Sequence, residues 1–521
     1  MISLRHLFLP PAISSLVFAS LLPSAAEYTD DIGYVRLKAE LGAATPNGAG
    51  LSVAQIEAPS NGAYAPLGGS GTFTGTPPFA GKQFTLKSGD SQGSFHASEV
   101  GRQFYGDALW GGRFGMATGI TGINCHEANN WAGSGMLTPI FGAPFAETKA
   151  VQNHSWANGA TAGSEATFTD WLRRLDFAVR RDGFLCSVGT ANDPSGDVPV
   201  LLASAYNIVS VGVSSGQHNH GLTISTGGFD GPGRVKPEMV APSDFTSYAT
   251  AMVSAAATCL RQAAATANSR KPETLKAILM AGATKQEFPG WARTSTRPLD
   301  LTFGAGELNI HHSYHILMGG EQPVNAAAPV AATGWDYGSI SPSDTRDYLI
   351  TIAPTMNGAE LSAVLAWNRI ITDSIPGPGF SPSPSLPNLT LTLYRTPGTP
   401  GVQVDSSASP VDNIEHIHQP SLLCGTFRLR VTSSSASDYA LAWRVTPPEP
   451  PAIRYAAGPA GSLTFSFTSL VPGQAYELAV SPDLASWSTV HAFTAATATL
   501  AWVMPFPPES RRFYRLQWTC Q

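Results

Sequence analysis

Three residues in this chain have the types needed for nucleophilic catalysis: the hydroxyl of Ser247, the imidazole of His96 and the carboxylate of Glu57. A histidine bonded to a serine takes its proton, a carboxylate behind the histidine fixes the imidazole tautomer, and the serine attacks a carbonyl. Ser247 sits where such chemistry is favoured. The run closing at Val240-Ala241-Pro242 reads as a strand entering a turn. The Ala-rich stretch after Ser247 reads as a helix, because Ala249, Met252, Val253, Ala256 and Leu260 recur at helical spacing. The hydroxyl therefore lies at or just before a helix N-terminus, where free N–H groups and the positive helix end favour developing negative charge. The same position suits a plain N-cap, whose oxygen accepts from an orphan N–H and stabilises a helix by about 1 kcal/mol.

The surrounding letters separate these readings. Lys236-Pro237-Glu238-Met239-Val240-Ala241-Pro242, followed by Phe245-Thr246-Ser247-Tyr248-Ala249-Thr250-Ala251, resembles the nucleophile region of the subtilisin-like serine proteases, the subtilases. Phe245 stands where that family has Gly, and Ala251 where it has Pro. Upstream, Leu51 to Glu57 reads as a strand ending in a carboxylate before a turn-rich stretch. The family's acid at this place is an Asp; here it is Glu57, whose extra methylene adds roughly 1.3 Å of reach that the backbone has to absorb. A strand-end Glu in plain solvent contact is the alternative. His96, followed by Val100 and closed by Gly106, resembles the family's histidine helix, with Phe95 and Ala97 in place of flanking glycines. The order acid, base, nucleophile is the one subtilisins use.

The resemblance implies further site residues. Ala150 to Gly159 resembles the strand whose edge pairs with an extended substrate, so Asn153, Ser155 and Trp156 become candidate substrate-binding residues, with Trp156 walling a side-chain pocket. A turn with a surface aromatic is the alternative. Phe184 to Asp193 resembles the segment whose Asn donates to the oxyanion, which makes Asn192 the candidate; otherwise it is a turn former. Further landmarks follow at Pro199 to Gly212, Lys271 to Ala283 and Phe303 to Ile310, and the likeness spans about 48–320.

Strands alternating with helices predict an α/β fold, a subtilisin-like parallel sheet with helices on both faces and its sites at the carboxyl ends of the strands. Residues 1–26 read as a signal peptide, and 27–47 as a short N-terminal segment. The expected peptidase domain is 48–320 and a linker covers 321–333. Two all-β domains follow: a β-sandwich or jelly roll over 334–446, with alternating runs broken by Ser/Pro turns, and a small fibronectin-like module over 447–521. With 51 Gly, 41 Pro, 13% charged residues and a net charge of −6, the chain is neither a coiled coil nor a nucleic-acid binder. Its five cysteines lie at no metal-ligand spacing. The histidine clusters at 218/220, 311/312/315 and 416/418 lack a Cys or second carboxylate nearby and read as structural loops. No cofactor or metal is called for, although loop carbonyls can bind calcium without a sequence signature.

The resemblance and the leader-like start together imply an exported serine endopeptidase, bacterial and extracellular or periplasmic. The expected substrates are polypeptides, no membrane span is expected after signal removal, and the β-modules are suited to surface or matrix contact. Departures at Glu57, Phe95, Ala97, Phe245 and Ala251 keep a second class open, an inactive subtilase-fold binding protein.

Overall fold

The computed structural model describes residues 32–66, 71–72, 78–107, 115–138, 142–158, 165–224, 233–324, 328–374, 379–396, 401–458, 461–505 and 512–518. The expected export segment and Cys520 lie outside them. Eight strands form one sheet: β1 (Ser52–Glu57), β2 (Gly71–Thr72), β3 (Gln83–Leu86), β4 (Gly122–Glu127), β5 (Val151–His154), β6 (Leu185–Gly189), β7 (Val209–Val213) and, after a short ribbon of β8 (Gly221–Leu222) and β9 (Val235–Lys236), β10 (Met239–Ala241). Their order is β10-β7-β6-β5-β1-β4-β3-β2, parallel except at the β2 edge. The α/β expectation holds.

Strand periodicity divides the core in two. Val53, Val151 and Leu185 belong to one buried cluster, while Ala54, Ile56, Cys186 and Val188 belong to another, as alternation across a sheet requires. Six helices matter here: α1 (Tyr34–Leu41), α2 (Phe95–Tyr105), α3 (Glu165–Asp182), α4 (Thr246–Ala263), α5 (Pro272–Gly282) and α6 (Ile310–Met318). Residues of α1, α2, α4, α5 and α6 share the first cluster, and α3 packs in the second. Helix α3 is absent from the sequence reading, although Phe168, Leu172, Leu175 and Val179 supply its buried stripe. Helix α4 is buried nearly all round, and its alanines let it pass close under the sheet with α2 on its other side.

Ten further strands form two four-stranded antiparallel sheets and one two-stranded pair. β11 (Thr333–Ile340), β20 (Ser437–Thr446), β13 (Ala359–Ala366) and β18 (Ile414–Leu422) make one; β12 (Thr345–Ile352), β19 (Gly425–Ser433), β16 (Leu389–Arg395) and β17 (Val402–Ser407) make the other, with β14 (Ile370–Asp373) and β15 (Pro382–Ser385) pairing beside them. Leu365, Leu441 and Trp443 face the second sheet. Val364, Ala366, Ala440 and Ala442 face the helices of the α/β unit instead. One sheet of the sandwich is thus buried on both faces, and the two units share a core. The join is also polar: Arg369 Nε donates to Asp176 on α3 at 2.8 Å, and Asn207 Nδ2 donates to the Arg369 carbonyl at 2.9 Å. The chain ends in two three-stranded antiparallel sheets, β21 (Ala452–Gly458), β22 (Ser462–Thr468) and β25 (Leu500–Pro505), and β24 (Ser488–Thr494), β23 (Ala475–Ser481) and β26 (Phe513–Trp518), around Phe465, Phe467, Tyr476 and Leu478. Cys424 is disulfide-bonded, whereas Cys125, Cys186 and Cys259 are buried free thiols. Among the described residues no helix is long and apolar enough to cross a membrane.

Candidate active site

Strand parity aims the acid. Val53, Gln55 and Glu57 share a face of β1, the face that carries α2 and α4, so the last residue of the strand puts its carboxylate beneath both helix starts. Helix α2 begins where Ser94 caps it, its oxygen accepting from the Ala97 N–H at 3.2 Å. His96 therefore occupies the first turn of α2. Helix α4 begins at Thr246, and its N-cap is Phe245, which offers no side-chain bond. Ser247 is thus not a cap but the second helical residue. The N-cap reading of its hydroxyl is not what the structure shows.

The three groups form one hydrogen-bonded line. His96 Nδ1 lies 2.7 Å from Glu57 Oε2, and His96 Nε2 lies 3.0 Å from Ser247 Oγ. Glu57 is fully buried and the His96 side chain is 42% exposed. Burial pushes the Glu57 carboxyl up, against the pull of its bonds from His96 and Gln55. The Glu57 bond in turn raises His96 above the ordinary imidazole value, because the imidazolium donates a charge-assisted bond.

A second layer holds the acid, and sequence reasoning missed it. Gln55 Nε2 donates to Glu57 Oε1 at 2.8 Å and to the Ala97 carbonyl at 2.8 Å, while the Tyr105 hydroxyl donates to Gln55 Oε1. Because the Ala97 carbonyl only accepts, it fixes which end of Gln55 is nitrogen. Gln55 was legible as a polar residue two positions before Glu57 on the same strand face. Tyr105, nine residues beyond His96, carried no signal.

Asn192 follows the end of β6, is exposed, and accepts the Thr246 N–H on its Oδ1 at 2.7 Å. That bond leaves the Nδ2 amide as a donor with no partner among the described residues. In the first turn of α4, Thr246 N–H is taken by Asn192, while Tyr248 and Ala249 N–H both go to the Phe245 carbonyl. Ser247 N–H is the first-turn donor left without an acceptor among the described residues. Two donors thus remain available around the first turn of α4.

The three substrate-binding candidates come out differently. Asn153 lies within β5, which is paired on both sides, to β1 and to β6. It is fully buried, its Nδ2 donating to Ser155 Oγ at 2.9 Å and its Oδ1 accepting from Ser254 on α4 at 2.9 Å. An interior strand has no free edge, so Asn153 anchors Ser155 instead of meeting solvent. Ser155 Oγ donates to the Ser247 carbonyl at 2.8 Å, which ties the end of β5 to the start of α4. Trp156 turns its indole N–H to His154 Nδ1 at 3.2 Å and packs with the α3-face core. A cavity of about 310 Å³ opens nearby, lined by Ala157, Asn158, Ala191, Val198 and Val200 among others, and Trp156 is not in its wall. Phe95 and Phe245, which replace glycines of the resembled motifs, are 72% and 48% exposed.

The Lys236-Pro237-Glu238 segment is structural. Glu238 Oε1 accepts from Lys236 Nζ at 2.7 Å and from Lys276 Nζ of α5 at 2.9 Å, all buried. Burial lowers Lys236 to about 8. Of the histidine clusters, His218 accepts the Val213 N–H and bonds the Thr302 carbonyl as a structural loop group, but His311, His312 and His315 lie on α6, not on a loop.

No family model matches the chain, and no curated protein matches it. Solved structures similar to it include the MycP3 protease from the type VII (ESX-3) secretion system, at 16% identity, covering 54% of this chain and 86% of that one with a TM-score of 0.31. Fervidolysin from Fervidobacterium pennivorans, a keratinolytic enzyme related to subtilisin, is 11% identical over 93% of this chain and 69% of its own, with a TM-score of 0.33. Pseudomonas sedolisin, a serine-carboxyl proteinase, is 14% identical over 53% and 94%, with a TM-score of 0.31.

Proposed function

We propose that this chain is an exported serine endopeptidase that cleaves polypeptides through a Glu57–His96–Ser247 triad. The unbroken line from Glu57 to Ser247, at 2.7 and 3.0 Å, carries this reading. His96 Nε2 takes the Ser247 proton as Oγ attacks the scissile carbonyl. Glu57 holds Nδ1–H and stabilises the imidazolium. Asn192 Nδ2 and the Ser247 N–H receive the oxyanion, and the imidazolium then protonates the leaving amine, giving an acyl-enzyme that water hydrolyses. Glu does the work of Asp here because its end-of-strand carboxylate is steered by Gln55. The cavity beside Ala191 is suited to a side chain flanking the cut bond. Residues 1–26 act as the export signal and the terminal β-modules as surface contacts. Incubation of the purified chain with an unfolded protein tests this: peptides released by the parent and not by Ser247→Ala support it, while equal release, or none from the folded parent, removes it.

A further inference from the structure

Helix α1 is clipped to α6 by its own set of contacts. Ile310 N–H donates to the Ile32 carbonyl at 2.9 Å. Gly33, at φ +73°, passes so close to Asn309 that a Cβ would lie 2.9 Å from its Oδ1. Two turns further along, the last turn of α1 brings Glu40 against two histidines of α6. His311 and His315 are four residues apart and so project from one face of the helix. Their Nε2 atoms lie 2.9 and 3.1 Å from the same oxygen, Glu40 Oε2. The three ligand atoms all fall within 4.8 Å of one another. The carboxylate that the histidine cluster lacked in the sequence arrives from about 270 residues away.

We propose that Glu40, His311 and His315 form a binding site for a zinc-type divalent transition metal, independent of the proteolytic reading. Two imidazoles and a carboxylate are a donor set that zinc favours, with bonds of about 2.0–2.2 Å and a fourth position left for water. In a tetrahedron of such bonds the ligand atoms stand about 3.4 Å apart, so the observed 2.9 and 3.1 Å need open by only a few tenths of an ångström. Glu40 and His315 are 42% and 41% exposed, which gives the ion an entry path. Coordination at Nε2 moves the ring proton of His311 to Nδ1, which is buried and has no partner among the described residues. Arg36, one turn earlier on α1, adds positive charge beside His311. Both features predict moderate affinity. A bound ion would lock α1 onto α6.

The test uses the untagged full chain, stripped of metal by chelation, with Glu40→Gln and His315→Ala alongside. Both positions are partly exposed, and circular dichroism checks that the variants fold. Calorimetric titration with Zn2+ is expected to give one equivalent in the parent and a higher melting temperature. Mg2+ and Ca2+ are expected to give neither. Co2+ is expected to develop the strong visible bands of a four-coordinate ion. Each response is expected to vanish in both variants. A parent that binds no Zn2+, or Zn2+ binding that survives either substitution unchanged, overturns the proposal and leaves a hydrogen-bonded trio.

Discussion

Replacing Glu57 by Gln removes a charge and almost no volume, so its effect can be worked from the hydrogen-bond line. The Ala97 carbonyl keeps Gln55 Nε2 as the donor facing position 57. A glutamine there satisfies that donor only by turning its own oxygen to Gln55. Its amide nitrogen then meets His96 Nδ1, 2.7 Å away in the parent, and obliges Nδ1 to accept. The ring proton moves to Nε2, the atom 3.0 Å from Ser247 Oγ, and the base can no longer take the serine proton. The opposite orientation sets donor against donor in a fully buried site, with a desolvation penalty of about 1–3 kcal/mol. The wrong tautomer in a triad lowers turnover by about 10⁴, close to 5.4 kcal/mol of barrier. The assay is kcat/KM on a chromogenic peptide, with folding checked by thermal melting. Glu57→Asp keeps the charge but retracts it by roughly 1.3 Å, and is expected to fall between parent and Glu57→Gln. A folded Glu57→Gln chain that retains more than about a tenth of parental kcat/KM would refute the tautomer argument.

Four further outcomes follow from the same geometry. Because Glu57 raises His96 and the base has to be neutral, kcat/KM is expected to fall with decreasing pH through a value above 6.5, and Glu57→Gln is expected to move that limb downward. The linkage runs the other way for stability: a raised histidine contributes fully below its unfolded value, and the contribution fades as pH rises through the folded one. Asn192→Ala removes an oxyanion donor and is expected to lower kcat by about 10²–10³ with little change in KM, measured by steady-state kinetics. Glu238→Ala strands two buried lysines and is expected to destabilise the chain by about 3–5 kcal/mol, read by urea unfolding. Arg369→Ala leaves Asp176 uncompensated at the join between sheet units; the expected loss is again about 3–5 kcal/mol, with the α/β and sandwich signals melting together in one transition.

The α/β class was legible because strand runs and helical spacing alternate, and the helix after Ser247 because its apolar positions repeat. The candidate triad residues Glu57, His96 and Ser247 were legible as residue types at strand and helix ends. What escaped depends on contacts between distant segments. Asn153 looked like a cleft residue, yet β5 lies inside the sheet, and only the strand order β6-β5-β1 reveals that it has no edge. Trp156 sits next to Ser155, but its indole is held by His154 on the other face. The sandwich read as a separate unit behind a linker, whereas Ala366, Ala440 and Ala442 are small because that sheet face packs on the helices of the first unit. Glu40 gave no sign of meeting His311 and His315, since no local spacing joins residues that far apart.

Activation of Ser247 by His96 and Glu57 is reported directly by a fluorophosphonate, which reacts with an activated serine. Intact mass after treatment is predicted to show one adduct per chain, mapped to Ser247 by peptide analysis, absent in Ser247→Ala and strongly slowed in His96→Ala. A folded parent that takes no adduct, or one that takes it at another residue, would contradict activation of Ser247 by His96 and Glu57.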